Sequence, residues 1–130
     1  MSNNQFTMSN QCQNQNDKNK YDLAHRTSKF GESVILFVKK IPENTINRPI
    51  FTQLIHSATS IGANYMEADC AESKKDFMHK IGICKKESKE TTHWLHMLAT
   101  TNPERKDESR NLWQEAHELT LIFSSIVKKK

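Results

Sequence analysis

The chain has 130 residues and a mass of 15.1 kDa, with 19 Lys and Arg against 15 Asp and Glu, which gives a formal net charge of +4. This length fits one domain rather than two. Only 35% of the residues are apolar, and the longest apolar run, residues 34–38, is far shorter than the roughly 20 residues that a membrane-spanning helix needs. We therefore expect a protein that does not cross a membrane.

Cysteine usage and the start of the sequence bear on location. No basic-then-apolar signal segment opens the sequence, which does not support secretion. The cysteines at positions 12, 70 and 84 are odd in number and lack metal-type spacing. We therefore expect reduced thiols and a cytoplasmic location.

Glycine and proline are scarce, with three of each. Gly31, Gly62 and Gly82 each lie within a stretch of helical periodicity, and the prolines fall between such stretches. Phosphate-binding loops and nucleophile elbows need glycines clustered at turns, and this chain has no such cluster. The pattern predicts an all-α protein without the common loop-borne chemistries.

Residues 1–20 differ from the rest, because ten of them are Asn or Gln. A segment with so few apolar residues cannot bury enough surface to offset the entropy of ordering it. We predict a disordered tail over residues 1–20, followed by one folded domain over 21–130.

Apolar residues at alternating spacings of three and four predict helices over about 22–41, 49–69, 74–99 and 104–127. We call each such row of residues, on one face of its helix, a seam. Asp22, Asn47 and Ser73 are candidate N-caps, with Asp76 completing a capping-box pattern after Ser73. The short connections between four helices of this length predict an antiparallel, up-down-up-down four-helix bundle.

The positive charge is concentrated on the third predicted helix, where residues 74–89 hold six lysines and two acids. At 100° per residue, the side chains at 75, 79, 86, 89 and 93 share a stripe opposite the apolar seam. Such a row can follow a phosphate backbone without reading sequence, or it can simply be a solvated face. The candidate nucleic-acid-binding residues are Lys74, Lys75, His79, Lys80, Lys85, Lys86, Lys89 and His93.

Several apolar residues fall off the seams and predict a subunit interface in a homo-oligomer. They are Leu36, Ile83, Trp94, Met97, Trp113 and Leu121. A second off-seam set is polar and lies along one side of the second predicted helix. It consists of Ser57, Ser60, Asn64 and Glu67. This polar stripe has two interpretations, a hydrogen-bond network that fixes helix register and a polar pocket at a subunit junction.

Metal and enzyme chemistry find little support. Di-metal bundles need Glu-x-x-His pairs on two helices, but Glu90–His93 and the looser Asp76–His79 both lie on the third helix. His93 and His96 are more typical of solvated histidines than of ligands. We expect no catalytic residue, metal or cofactor.

Five segments resemble one family. They are residues 21–27 (YDLAHRT), 59–68 (TSIGANYMEA), 73–81 (SKKDFMHKI), 84–91 (CKKESKET) and 102–105 (NPER). Together they are similar to the four-helix-bundle proteins encoded within intervening sequences of 23S ribosomal RNA genes, over residues 21–127. The resemblance implies a ring-like homopentamer without enzymatic activity. It extends to accessory proteins of diversity-generating retroelements, which are basic pentamers that bind nucleic acid and a reverse transcriptase. The family's basic surface would fall on the lysines of residues 74–89, with Arg26 and Lys29 as further candidates.

Three functions follow as hypotheses. The first is a non-enzymatic oligomer that binds RNA or another nucleic acid through the third helix. The second is a protein-interaction adaptor, for example a reverse-transcriptase accessory subunit, with no direct RNA role. The third, an enzyme or metal protein, has the weakest basis in the residues.

Overall fold

The computed structural model describes residues 18–128, with side chains from Leu23 onward. It contains four helices, α1 (Lys18–Lys39), α2 (Asn47–Asp69), α3 (Lys74–Thr101) and α4 (Lys106–Lys128), and a 3-10 turn at Pro103–Arg105 precedes α4. The described residues form no strand, so the predicted all-α class is confirmed for them. Residues 1–17 of the predicted tail lie outside the described residues, whereas its last three residues, 18–20, belong to α1.

The helix ends show where local chemistry differs from the prediction. The α1 helix begins at Lys18, before the predicted cap Asp22. Asn47 does not cap α2, because the Asn44 side chain accepts the N–H groups of Ile46 and Asn47 at 3.0 and 2.8 Å. Ser73 does cap α3, accepting the N–H of Asp76 at 3.0 Å as predicted.

The predicted seams form the core. Helices that are neighbours in sequence pack together, and α1 meets α4 less extensively. Most seam residues are buried, and the remaining ones, such as Leu23, Phe77 and Leu112, are half-buried and pack against the core. Burying one large aliphatic or aromatic side chain contributes about 1.5–3 kcal/mol, so these seams dominate the stability of the bundle.

The small residues of α2 allow the α1 and α2 backbones to approach closely. A Cβ on Gly31 would lie 3.7 Å from the carbonyl oxygen of Ala58 and from the Cα of Thr59. Across α2 and α3, three polar contacts set the alignment, from Asn47 with Asn102, through Ser57 with Thr91, to Glu67 with Lys80.

No helix within residues 18–128 has the length and apolar character needed to cross a bilayer. The cysteines differ from one another. Cys84 is a free, buried thiol, whereas Cys70 is disulfide-bonded. The prediction of reduced thiols is therefore wrong for Cys70.

Candidate nucleic-acid interface

The α3 lysines are presented by a helix whose start is fixed by Ser73 and whose inner face is held in the core. Because these two features set the rotation of α3, all of the candidate residues except Lys80 are exposed. Those exposed are Lys74, Lys75, His79, Lys85, Lys86, Lys89 and His93. None of the five lysines among them lies within 4.0 Å of a carboxylate in the described part of the chain. We call the row Lys75, Lys86 and Lys89 the basic row.

Lys80 differs from the other candidates because it belongs to the contact between α2 and α3. Its Nζ lies 2.7 Å from Oε1 of Glu67, and its side chain is only 27% exposed. The hydrogen bond to Glu67 and the attraction of that carboxylate raise the pKa of Lys80. Its charge is already matched, so Lys80 is not presented to a phosphate as the basic row is.

Arg26 is also held within the bundle. Its guanidinium binds both carboxylate oxygens of Glu115 at 2.7 and 2.9 Å and reaches Glu118 at 2.6 Å. These partners raise the pKa of Arg26, chiefly through the hydrogen bonds to Glu115 and against the opposing effect of burial. Arg26 therefore joins α1 to α4, whereas Lys29 is exposed.

Gly82 leaves open space on the face of α3 that carries the basic row. This residue lies on the same face of α3, between His79 and Lys86 in sequence, and a Cβ placed on it would have no atom within 4 Å. From Lys75 to His93 the face extends about 27 Å along the helix axis at 1.5 Å per residue. A surface of this length has room for several phosphates of one strand.

The off-seam position of Trp94 predicted that its side chain points away from the core, and this prediction is wrong. It is half-buried, packs against the core and donates its indole N–H to Oε2 of Glu90 at 3.0 Å. The ring of His93 lies edge-on to it, with 4.7 Å between centroids. Glu90 is thus engaged with Trp94, and residues 18–128 contain no group of three or more His, Cys, Asp or Glu placed to hold a metal.

The other predicted interface residues are spread over three helices. Leu36 on α1 and Leu121 on α4 are strongly exposed, at 60% and 56%, and Trp113 on α4 is 37% exposed. Ile83 and Met97 on α3 are half-buried. The set is therefore not confined to one helix.

The polar stripe of α2 does not converge on one pocket. Ser57 is fully buried and accepts the hydroxyl of Thr91 at 2.9 Å. Asn64 donates to the carbonyl of Ser60 in its own helix at 2.9 Å. With Glu67 bound to Lys80, the stripe contacts α3 at its two ends, which fits the interpretation that it fixes helix register.

A groove between α3 and α4 was missed at the sequence level. It has a volume of about 490 Å³, and its lining includes Leu95, His96, Ala99, Lys106, Arg110 and Trp113. The last three of these recur on α4 at spacings of four and three, which places them on one face. This spacing could have indicated a second functional face on α4. It was overlooked because the apolar seam alone was enough to predict the helix.

With this geometry established, comparison with known proteins places the chain in a family. The family model described as "23S rRNA-intervening sequence protein" matches residues 19–125. The chain belongs to this family. The match spans all four helices, and it confirms the resemblance that the sequence motifs indicated.

A protein of known structure is also similar to this chain. It is a protein of unknown function from the S23 ribosomal protein family of Bacteroides thetaiotaomicron VPI-5482. The two share 28% identity with a TM-score of 0.71, over 82% of this chain and 98% of the other. No curated protein sequence matches the chain.

Proposed function

We propose that this protein is a non-enzymatic, oligomeric nucleic-acid-binding protein, and that its α3 surface binds the RNA phosphate backbone. The observation that carries this proposal is the exposed basic row on one face of α3, without a carboxylate partner in the described residues. Lysine contacts to phosphate release counterions and do not distinguish bases. The family name, which refers to 23S rRNA, makes RNA the first polymer to test.

Assembly would strengthen this surface. We propose an antiparallel bundle that forms a ring-like homopentamer. The α2–α3 contacts support the antiparallel direction, since Asn47, at the start of α2, meets Asn102, just past the end of α3. Five copies, each with a net charge of +4, would carry about +20, which favours an anionic polymer as partner.

The test is RNA binding measured over a range of salt concentrations with a charge-matched control. In one variant Lys86 and Lys89 become Glu, and in the control Lys39 and Lys128, which are exposed on other helices, become Glu. Both variants change the net charge equally. We expect only the first to weaken binding by more than about tenfold and to lower the log–log salt slope by about 2.

Two results would contradict the RNA proposal. One is the absence of binding to structured RNA even at low salt. The other is equal weakening by the two variants, which would show that net charge alone, and not the α3 face, attracts RNA.

A protein-interaction adaptor is the second candidate, and the exposed Leu36 and Leu121 favour it. In this proposal the apolar surfaces dock another protein, such as a reverse transcriptase. Co-purification after nuclease treatment would distinguish the two functions. A partner protein that is retained without RNA, and that is lost on Leu36→Glu while the mass of the oligomer stays unchanged, would support the adaptor. A reverse-transcriptase gene beside the coding sequence would support it as well.

A further inference from the structure

The groove between α3 and α4 has a fixed floor and an open mouth. Ser109 on α4, which is 2% exposed, donates its hydroxyl to the carbonyl of Leu95 on α3 at 2.8 Å. This buried bond sets the distance between the two helices at the floor of the groove. A volume of about 490 Å³ lies within the range of small-molecule sites in proteins.

Two cations on one wall of the groove lack a matching carboxylate. Lys106 and Arg110 are exposed and one turn apart on α4, and neither forms an ion pair among residues 23–128. The neighbouring Arg105 is different, because it binds Glu108 at 3.0 Å. The groove therefore offers a pair of donors to an anion, and a guanidinium can bind a phosphate through two parallel hydrogen bonds.

An aromatic ring stands beside these cations. Trp113 lines the groove, whereas His117 does not. The two rings are stacked, with 5.0 Å between centroids and an angle of 13° between planes. The imidazole thus supports the indole from outside the groove. Base–aromatic stacking is a general mode of single-strand recognition and tolerates any base, since every base has a π-face.

We propose that this groove is a binding site for a nucleotide, with its base against Trp113 and its phosphate between Lys106 and Arg110. The ligand is either a free nucleotide or one unit of a single strand. The site is separate from the basic row and does not depend on it. The proposal is an alternative to the prediction that Trp113 lies in a subunit interface.

Fluorescence of Trp113 gives a direct test. The chain has two tryptophans, so Trp94→Phe leaves Trp113 as the only indole. We expect saturable quenching by adenosine monophosphate below about 10 mM, and at least about tenfold weaker binding after Arg110→Ala. Adenosine alone and inorganic phosphate alone should each bind at least about tenfold more weakly, because each lacks one half of the recognition. If Trp94→Phe perturbs folding, calorimetry on the unmodified chain and on Arg110→Ala alone measures the same affinities.

The control is Lys86→Ala, which removes a cation from the basic row and leaves the groove intact. It should not change the affinity for adenosine monophosphate, whereas Arg110→Ala should not change the affinity for structured RNA. A 12-nucleotide oligoadenylate that quenches Trp113 at much lower concentration than the mononucleotide would identify the strand as the source. The absence of saturable quenching by either probe would overturn the proposal, and so would equal quenching after Arg110→Ala. Dissociation of the oligomer on Trp113→Ala would return this residue to a subunit interface.

Discussion

At the residue scale, two buried asparagines join the two connections at one end of the bundle. Asn47 is 1% exposed and Asn102 is 6% exposed. Their amides exchange hydrogen bonds of 3.1 and 2.9 Å. Asn47 also donates to the carbonyl of Pro42 at 2.9 Å and accepts the hydroxyl of Thr101 at 3.0 Å. The side-chain amides of Asn47 and Asn102 therefore bond to each other, and the loss of either residue leaves the other with bonds unmade.

Removing one partner from this cluster should be costly. We expect Asn102→Ala to lower the free energy of unfolding by about 1–3 kcal/mol, because the Asn47 amide would stay buried with bonds unmade. Asn111→Ala, at an exposed position of α4, is the matched control and should change it by less than about 0.5 kcal/mol. Denaturant titration measures both. The double variant Asn47→Ala/Asn102→Ala should cost clearly less than the sum of the single changes, and simple additivity would refute the coupling.

The buried thiol of Cys84 gives a pH dependence. Burial is the main reason that its pKa rises from 9.0 to about 12. Above about pH 9 the unfolded chain loses this proton while the folded chain keeps it, so stability falls as pH rises, by up to about 1.4 kcal/mol per unit. We expect Cys84→Ala to make the decline between about pH 9 and pH 11 shallower. Parallel declines in the two proteins would contradict this assignment.

At the element scale, the open space beside Gly82 predicts that a larger residue at this position stabilises the fold. Because no atom lies within 4 Å of an added Cβ, Gly82→Ala should add about 0.5–1 kcal/mol through helix propensity alone. Thermal unfolding at fixed protein concentration would show a melting temperature higher by a few degrees. A lower melting temperature would mean that another molecule, such as a second copy of this chain, approaches the α3 backbone at this point.

The helices and their inner faces could be predicted because a repeat of three and four residues is a property of the sequence itself. The ends were less predictable, since they depend on competing local bonds. Asn47 has the chemistry of a cap, but Asn44 takes that role and the Asn47 amide turns towards Asn102. Both side chains fit the cap pattern, and only the packing of the two connections decides between them.

The candidate site was predictable to the same degree. Residues opposite the seam, such as Lys86, had to be exposed once α3 was recognised. Lys80 and Trp94 lie at the flanks of α3, where neighbouring residues decide the outcome. Lys80 binds Glu67 on α2, and Trp94 packs against the core. The α3–α4 groove depends on the distance between two helices, which the buried Ser109–Leu95 bond fixes. No periodicity within one helix contains that distance.

At the scale of the whole molecule, strongly exposed apolar residues occur on more than one helix, including Leu36 on α1 and Leu121 on α4. A cyclic assembly of odd number joins two different surfaces of each subunit, whereas a two-fold dimer uses one surface twice. Leu36 on α1 and Leu121 on α4 are the most exposed of the predicted interface residues. We infer that they belong to the two complementary surfaces of such a ring.

Light scattering tests this assembly. Five chains of 15.1 kDa give an expected mass of about 75 kDa. Leu36→Glu or Leu121→Glu should shift the mass towards the monomer, because each places a charge in an apolar contact without a partner. Ile46→Glu is the control, since Ile46 is 62% exposed but lies outside the predicted interface. A monomeric unmodified chain at micromolar concentration would refute the assembly. If Ile46→Glu dissociated the oligomer while the other two did not, the interface would instead lie at the α1–α2 connection.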